Sequence, residues 1–155
     1  MSYLPLHALR KEVADDSVQL VVVFTDDAPK WFDACVKMIE PAISRTQGRI
    51  TAADVRDLIS TGAMQLFLIV ETASHRVLAA IVTEFAQHRQ GKALNIVMLG
   101  GRDAHRWIDR IFELERWAKS EGCRWVELSG RTGWERVLGR LHYEPLHTTL
   151  GKELA

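Results

Sequence analysis

Glu84 is the carboxylate best suited to proton transfer in this sequence. Its neighbours Val82 and Phe85 are apolar and lie in a strand-like segment, so we expect the glutamate to be partly buried. A carboxylate that is partly withdrawn from water can act as a general base. The alternatives are a glutamate at an exposed strand position, or one that pairs with an arginine. Glu84 is accordingly the candidate catalytic residue.

Arg131 is the residue best suited to bind an anion. It follows the strand-like segment Cys123–Leu128, at the point where that strand is expected to end. Its planar guanidinium can bind a phosphate or an acidic partner through paired hydrogen bonds. A salt bridge with Glu127 or Glu135 is the alternative.

Other kinds of catalytic centre are not indicated by the residue spacing. None of the six histidines forms an H-x-x-x-H or H-E-x-x-H pattern, so we predict no metal site. Ser129 lacks the glycine two residues before it that a G-x-S-x-G turn requires, which argues against hydrolase chemistry. Cys35 and Cys123 are far apart in the sequence and outside any C-x-x-C pair, so we expect both to be reduced.

The composition is that of an ordinary globular domain. The 155 residues are 47% hydrophobic and 26% charged. Twenty basic residues balance twenty acidic ones, so we expect no nucleic-acid partner. We also expect a cytoplasmic protein with no membrane association, because no apolar run approaches the roughly 20 residues of a membrane span and the first residues lack a signal-peptide pattern.

The elements that must position Glu84 and Arg131 follow from periodicity and from helix signals. We expect residues 1–17 to form an N-terminal arm and residues 18–155 to form one domain. A β-branched run at 18–24 predicts its first strand. A helix follows with Pro29 in its first turn, and Pro41 predicts a kink or a break within it.

A second helix and a three-stranded meander come next. Thr51 and Asp54 have the spacing of a capping box, and Gly62 is the expected stop of the helix. Apolar runs predict strands at residues 65–72, 77–86 and 93–99. Because the loops between them are short, these strands should pair as antiparallel neighbours.

The remaining residues predict a βαβ unit. Asp103 begins a long amphipathic helix, and Cys123–Leu128 is the next strand, which should pair in parallel with the strand before the helix. Thr132 and Glu135 have the spacing of another capping box, which predicts a short helix. A final strand is expected at residues 146–152.

This order of elements resembles the GNAT acetyltransferase fold. The stretch EGCRWVELSGRTGWERVLGRLHYEPLHTTLGKEL is similar to the GNAT region in which a strand precedes a helix, a Gly-Phe or Gly-Tyr turn and a closing strand. It is especially similar to GNAT-like proteins of bacteriophages, in which a Gly-Arg-x-Gly-Trp segment recurs. The resemblance covers about residues 51–154. It implies an α/β (α+β) fold with a mixed, mostly antiparallel sheet, a βαβ unit and flanking helices.

The resemblance also implies a cofactor. In GNAT enzymes acetyl-CoA lies between two diverging parallel strands, and its pyrophosphate rests on the N-terminus of the following helix. Here the corresponding positions imply cofactor contacts from Leu99, Gly100, Gly101, Arg102 and His105, with Arg131 beside them. Asp103 adds a repelling charge to this segment. A simple strand-to-helix turn is the alternative interpretation of the two glycines.

The acid and base positions of the family are altered in this sequence. Leu138 stands where many GNAT enzymes have a tyrosine acid, and His142 replaces the glycine of the turn. Tyr143 matches the aromatic residue of the turn, which packs in the core. The strand at 93–99 offers only Asn95, which leaves Glu84 or a water molecule as the base.

Two functions therefore follow from the resemblance. One is an acyltransferase that moves an acyl group from acyl-CoA to an amine, with acyl-CoA and the amine as its partners. The other is a catalytically inactive GNAT-fold phage protein that binds phage or host proteins, in the host cytoplasm or in the virion. An enzyme should have an open gap between the two strands, whereas a binding protein should have a gap filled by side chains such as Met98, Trp125 or Trp134.

Overall fold

A computed structural model describes residues 3–5 and 17–155 of the chain, and these residues form one six-stranded sheet in the order β1 to β6. The strands are β1 (Tyr3–Pro5), β2 (Val18–Val23), β3 (Gln65–Glu71), β4 (Val77–His88), β5 (Gly91–Gly101) and β6 (Cys123–Leu128). The predicted N-terminal arm lies mostly outside the described residues. Its described part includes β1, which pairs antiparallel with β2 and was not predicted.

The sheet has the predicted connectivity. β3, β4 and β5 pair as an antiparallel meander, and β2 pairs antiparallel with β3. β6 pairs with β5 in parallel, as a βαβ connection requires. β3 is apolar over nearly its whole length because helices cover both faces of the sheet.

Helices α1 (Ala28–Ser44) and α2 (Ala52–Thr61) cover one face. The capping box of α2 is confirmed: the Asp54 amide donates to Thr51 Oγ1 at 3.2 Å, and the Thr51 amide donates to Asp54 Oδ2 at 2.9 Å. Gly62 ends α2 with a left-handed φ of 82°, which favours glycine. The break considered at Pro41 is absent. The proline is exposed and α1 continues past it to Ser44.

Helices α3 (Ala104–Trp107), α4 (Ile111–Ser120) and α5 (Gly133–Gly139) cover the other face. The single long helix predicted after Asp103 is therefore wrong, since a 3-10 turn separates α3 from α4. Trp107 is buried at this point, and its backbone φ of −131° lies outside the helical range. Burial of this large side chain thus accompanies the interruption of the helix.

Two predictions for the last part of the chain are also wrong. Thr132 has helical backbone angles and its side chain makes no cap hydrogen bond, so α5 begins without a capping box. Residues 146–152 do not form a strand. Leu146 and Leu150 are largely exposed, so no buried face stabilises a strand there.

Candidate functional site

β5 and β6 are paired along only half of β5. The parallel register runs from Lys92 opposite Cys123 to Ile96 opposite Leu128, where β6 ends. β5 continues through residues 97–101, which have β4 as their only strand neighbour among the described residues. The two parallel strands therefore leave an opening beyond Ile96 and Leu128. One edge of this opening is β5 backbone with no strand partner.

The opening begins at a β-bulge in β5. Val82 is opposite Met98 and Thr83 is opposite Ile96, so Val97 is an extra residue on β5. A bulge of this kind bends its strand and interrupts the ladder. Because Ile96 is also the last residue paired with β6, the bulge and the divergence of the two strands coincide.

Gly100 and Gly101 belong to β5 and not to a turn. A Cβ on Gly100 would collide with the carbonyl oxygen of Met38 in α1, and a Cβ on Gly101 would collide with the backbone of Leu78 and Ala79 in β4. Close packing of the backbone therefore accounts for both glycines. Their interpretation as a strand-to-helix turn is wrong, because the strand continues through them.

The segment after β5 is held by two hydrogen bonds. The Arg102 amide donates to the Leu78 carbonyl at 2.9 Å, and the Trp107 indole donates to the Arg102 carbonyl at 2.7 Å. Asp103 adopts a left-handed backbone, and its side chain caps no amide of α3. Since α3 has four residues, its helix dipole is small. The side chains of Arg102 and His105, which follow β5, are exposed, whereas Leu99 within β5 is buried.

Arg131 lies beyond the C-terminal end of β6, and because β5 and β6 are parallel, Arg102 follows the C-terminal end of β5 in the same direction. Its guanidinium is exposed and lies 5.3 Å from the ring centre of Trp134. Within the part of the chain that the structure describes, Arg131 forms no ion pair. Glu127, one of the two partners considered, is instead 3.3 Å from His88 Nε2. The guanidinium is thus available to an anion.

Two tryptophans meet on the helical side of the opening. The ring centres of Trp107 and Trp134 are 6.5 Å apart, and only 8% of Trp134 is exposed. Both belong to the core cluster that also contains Leu99 and Leu138. The space between α3 and α5 is therefore filled on this side.

Two surface depressions, of about 420 and 170 Å³, lie elsewhere, beside Glu71 and beside Met64 respectively.

A row of polar side chains crosses β4, β5 and β6 where the three strands are paired. Glu84 is opposite Asn95, and Asn95 is opposite Glu127, so the three side chains share one face of the sheet. Glu84 is half-buried, as its neighbours predicted. The Asn95 side-chain oxygen is buried and has no hydrogen-bond partner among the described residues. His88 joins the row through Glu127 and through an edge-to-face contact with Trp125.

Comparison with solved structures decides the fold. This is the GNAT acetyltransferase fold. An aminoglycoside acetyltransferase from an uncultured soil metagenomic sample, in complex with sisomicin, has a TM-score of 0.66 at 12% identity, over 91% of this chain and 99% of that one. The glucosamine-6-phosphate N-acetyltransferase of Arabidopsis thaliana has a TM-score of 0.58 at 16% identity, over 89% and 99% of the two chains.

A GNAT family acetyltransferase of Staphylococcus aureus has a TM-score of 0.60 at 12% identity, over 89% of this chain and 99% of that one. No family model matches the sequence. A search of curated proteins finds no match either. The likeness is therefore one of three-dimensional structure, which carries the fold and not the reaction.

The residues aligned with the GNAT acid position and with the GNAT turn have structural roles here. Leu138 is buried in the core. His142 has a left-handed φ of 68°, a conformation that glycine adopts without strain. The Tyr143 hydroxyl donates to Glu115 Oε2 at 3.1 Å, and burial together with the Glu115 carboxylate raises the pKa of Tyr143. Burial also raises the pKa of Glu115.

The two cysteines differ in burial, since Cys35 is buried and Cys123 is partly exposed. Cys35 and Cys123 are both free thiols, as predicted. Burial raises the pKa of Cys35 to about 12, which keeps it protonated and unreactive.

Among the described residues no group of three His, Cys, Asp or Glu side chains has the arrangement of a metal site. None of the described helices has the combined length and apolar character of a membrane-spanning helix.

Proposed function

We propose that this protein binds acyl-CoA in the opening beyond Ile96 and Leu128 and transfers the acyl group to an amine. The observation that carries this proposal is the divergence of β5 and β6 at the Val97 bulge, in a GNAT fold. The free edge of β5 offers N–H and C=O groups to the amide-containing arm of CoA. A ligand bound along this edge would continue the ladder that β6 leaves unfinished.

Arg131 is the residue we expect to contribute most to binding the CoA phosphates. It is exposed and forms no ion pair among the described residues. Arg102 and His105 are exposed at the neighbouring strand end and would add positive charge, while Leu99, Gly100 and Gly101 would form the wall of the site. The single turn of α3 and the carboxylate of Asp103 favour phosphate weakly, so side-chain charge has to supply most of the attraction.

Glu84 is the base that we propose for the acceptor amine. The amine nitrogen attacks the thioester carbonyl, a C–N bond forms, the C–S bond breaks, and the nitrogen loses a proton to the Glu84 carboxylate. CoA leaves as a thiolate that takes a proton from water, because Leu138 cannot donate one. Glu127, in register with Glu84 through Asn95, adds a second carboxylate that favours a positively charged acceptor.

Titration calorimetry with acetyl-CoA tests the first step. We expect micromolar binding that Arg131→Ala weakens by about 10-fold to 100-fold, since a hydrogen bond to a charged group contributes about 1.5–3 kcal/mol. Arg136→Ala, which removes an exposed arginine of α5, is the matched control and should leave binding unchanged. Absence of binding at millimolar acetyl-CoA would contradict the proposal.

Glu84→Gln tests the second step separately. Release of free CoA thiol in the presence of a panel of primary amines should fall by about 100-fold or more, as expected for loss of a general base, while acetyl-CoA binding is retained. An unchanged rate would remove Glu84 from the mechanism without affecting the cofactor site.

A second function is favoured by the burial of Trp134. Its contact with Trp107 fills the helical side of the opening, which is the arrangement we expected of a GNAT-fold protein that binds other proteins without catalysis. Under this proposal the chain is a catalytically inactive structural component of a phage. The calorimetric experiment separates the two functions, because only the acyltransferase requires acyl-CoA binding.

A further inference from the structure

The depression of about 420 Å³ lies beside the turn between β3 and β4, away from the opening between β5 and β6. β4 separates the two places, because β3 and β5 flank it in the sheet. The volume is within the roughly 300–1,000 Å³ that small-molecule sites have. Among the described residues, the depression is lined by the residue before β2, by the end of β3 and its turn, and by α3: Ser17, Glu71, Thr72, Ala73, Ser74 and Arg106.

The charged wall of this depression is an ion-pair cluster with more positive than negative charge. Glu71 Oε2 accepts a hydrogen bond from Arg106 Nη1 at 2.9 Å. Glu71 Oε1 accepts from Arg76 Nε at 2.9 Å and from Ser74 Oγ at 2.8 Å. The Glu71 and Arg106 side chains are only 21% and 27% exposed, so water screens their charges less than at an open surface. Two guanidinium groups share one carboxylate, which leaves the cluster with one positive charge in excess.

Several hydrogen-bond donors at the depression have no protein acceptor. A guanidinium carries five N–H groups, and within residues 3–5 and 17–155 Arg106 uses one of them, on Glu71. The backbone amides of Ala73 and Ser74 also donate to no acceptor in the described part of the chain. N–H donors beside an excess positive charge are the groups that bind an oxyanion.

We propose that this depression binds a small organic molecule through a terminal oxyanion, either a phosphate or a carboxylate. The planar guanidinium of Arg106 pairs with two oxygens of this group while Glu71 holds the arginine in place. The amides of Ala73 and Ser74 donate to the same group, and the remaining volume holds the body of the molecule. The site is separate from the acyl-CoA opening and does not depend on it.

Titration calorimetry of the full-length chain with inorganic phosphate and, separately, with succinate tests this proposal at constant ionic strength. We expect at least one of the two anions to bind, and Arg106→Gln to weaken that binding by about 10-fold to 100-fold, because it removes a charged donor. Arg56→Gln breaks the ion pair with Asp33 between α1 and α2, so it is the matched control and should leave binding unchanged. Binding of phosphate alone would identify a phosphorylated ligand, and binding of succinate alone a carboxylic acid.

A second pair of variants leaves the ion pair of Glu71 and Arg106 intact. Ala73→Asp places a carboxylate on the exposed turn and should weaken anion binding by about 10-fold through repulsion. Ala73→Asn has the same shape without the charge, and it should change binding by less than about 3-fold. Because Ala73 is exposed, both variants should fold as the wild type does.

Three results would overturn the proposal. The first is that neither anion binds at about 10 mM. The second is binding that Arg106→Gln and Ala73→Asp both leave unchanged. The third is binding that is lost in Arg131→Ala and kept in Arg106→Gln, because the anion would then lie in the acyl-CoA opening.

Discussion

The two faces of the sheet are covered in different ways. On one face, α1 has 17 residues and α2 has 10, and α2 has a complete capping box and a glycine stop. On the other face, α3 has four residues, α5 has seven, and neither has a side-chain cap. On the first face, α2 therefore begins and ends on local signals. On the second face, α3 and α5 are short, and the buried side chains of Trp107 and Trp134 contact each other between them.

This difference distinguishes the α1–α2 face, which packs closely against β5, from the α3–α5 face, which borders the candidate site. The α1–α2 face fixes the position of β5 through close backbone contact at Gly100. The opening between β5 and β6 is bounded on the other face, where α3 and α5 depend on tertiary contacts. Helices of this kind are expected to open more readily than capped ones, so we expect local opening to begin on the α3–α5 face.

The largest effect is expected at Trp134. Trp134→Ala should lower the free energy of unfolding by about 3–5 kcal/mol, because it leaves a cavity in the α3–α5 contact. Urea denaturation measures this loss. Phe112→Ala, on the same face but 45% exposed, should change it by less than about 0.5 kcal/mol. A small loss for Trp134→Ala would show that the α3–α5 face does not depend on this side chain.

A smaller effect is expected at Gly100, which tests the other face. Gly100→Ala should destabilise the protein by about 1–3 kcal/mol, as over-packing does, because the new methyl group meets the Met38 carbonyl and α1 has to move. Gly139→Ala is the control, since a Cβ on Gly139 has no neighbour within 4 Å and the residue is helical. Thermal denaturation of both variants checks the contrast. Equal stability would mean that α1 can move away from β5 without loss.

The residues that precede α2 and α5 should contribute differently to the free energy of unfolding. Thr51→Ala should lower it by about 1 kcal/mol, because the substitution removes the hydrogen bond from the Asp54 amide. Thr132→Ala should cost much less, since the Thr132 side chain caps nothing. Urea denaturation of the two variants measures the difference. Similar losses would contradict the description of α5 as an uncapped helix.

The features predicted correctly from the sequence are those with local causes. The cap at Thr51 and the stop at Gly62 depend on residues within one turn of the helix end. The apolar run of β3 follows from helices on both faces, and the parallel pairing of β6 follows from the helical connection before it. Each of these causes can be read within about 30 residues of sequence.

The features that the sequence analysis missed depend on residues that are distant along the chain. Position 100 requires glycine because the Met38 carbonyl lies close to it, which a pattern of glycines before a helix does not reveal. Val97 is a bulge only in relation to β4, and its importance depends on where β6 ends. The row formed by Glu84 and Glu127 requires the strand register. Glu84 was nevertheless chosen correctly as half-buried, because its own neighbours predict that burial.

The smallest effect concerns the ion pair that ties α3 to the sheet. Arg106 Nη1 is 2.9 Å from Glu71 Oε2, and Arg106, Ser74 and Arg76 lower the pKa of Glu71 from 4.5 to about 2. A carboxyl group whose pKa is lowered by folding stabilises the protein above its unfolded pKa, and this contribution is lost as the pH falls from about 4.5 toward 2. Glu71→Gln should therefore melt at a lower temperature than the wild type at pH 7, and the difference should disappear near pH 2. Melting curves of both proteins across this range test it. A difference that persists at pH 2, where the Glu71 carboxyl is largely protonated, would mean that the charge on Glu71 is not its cause.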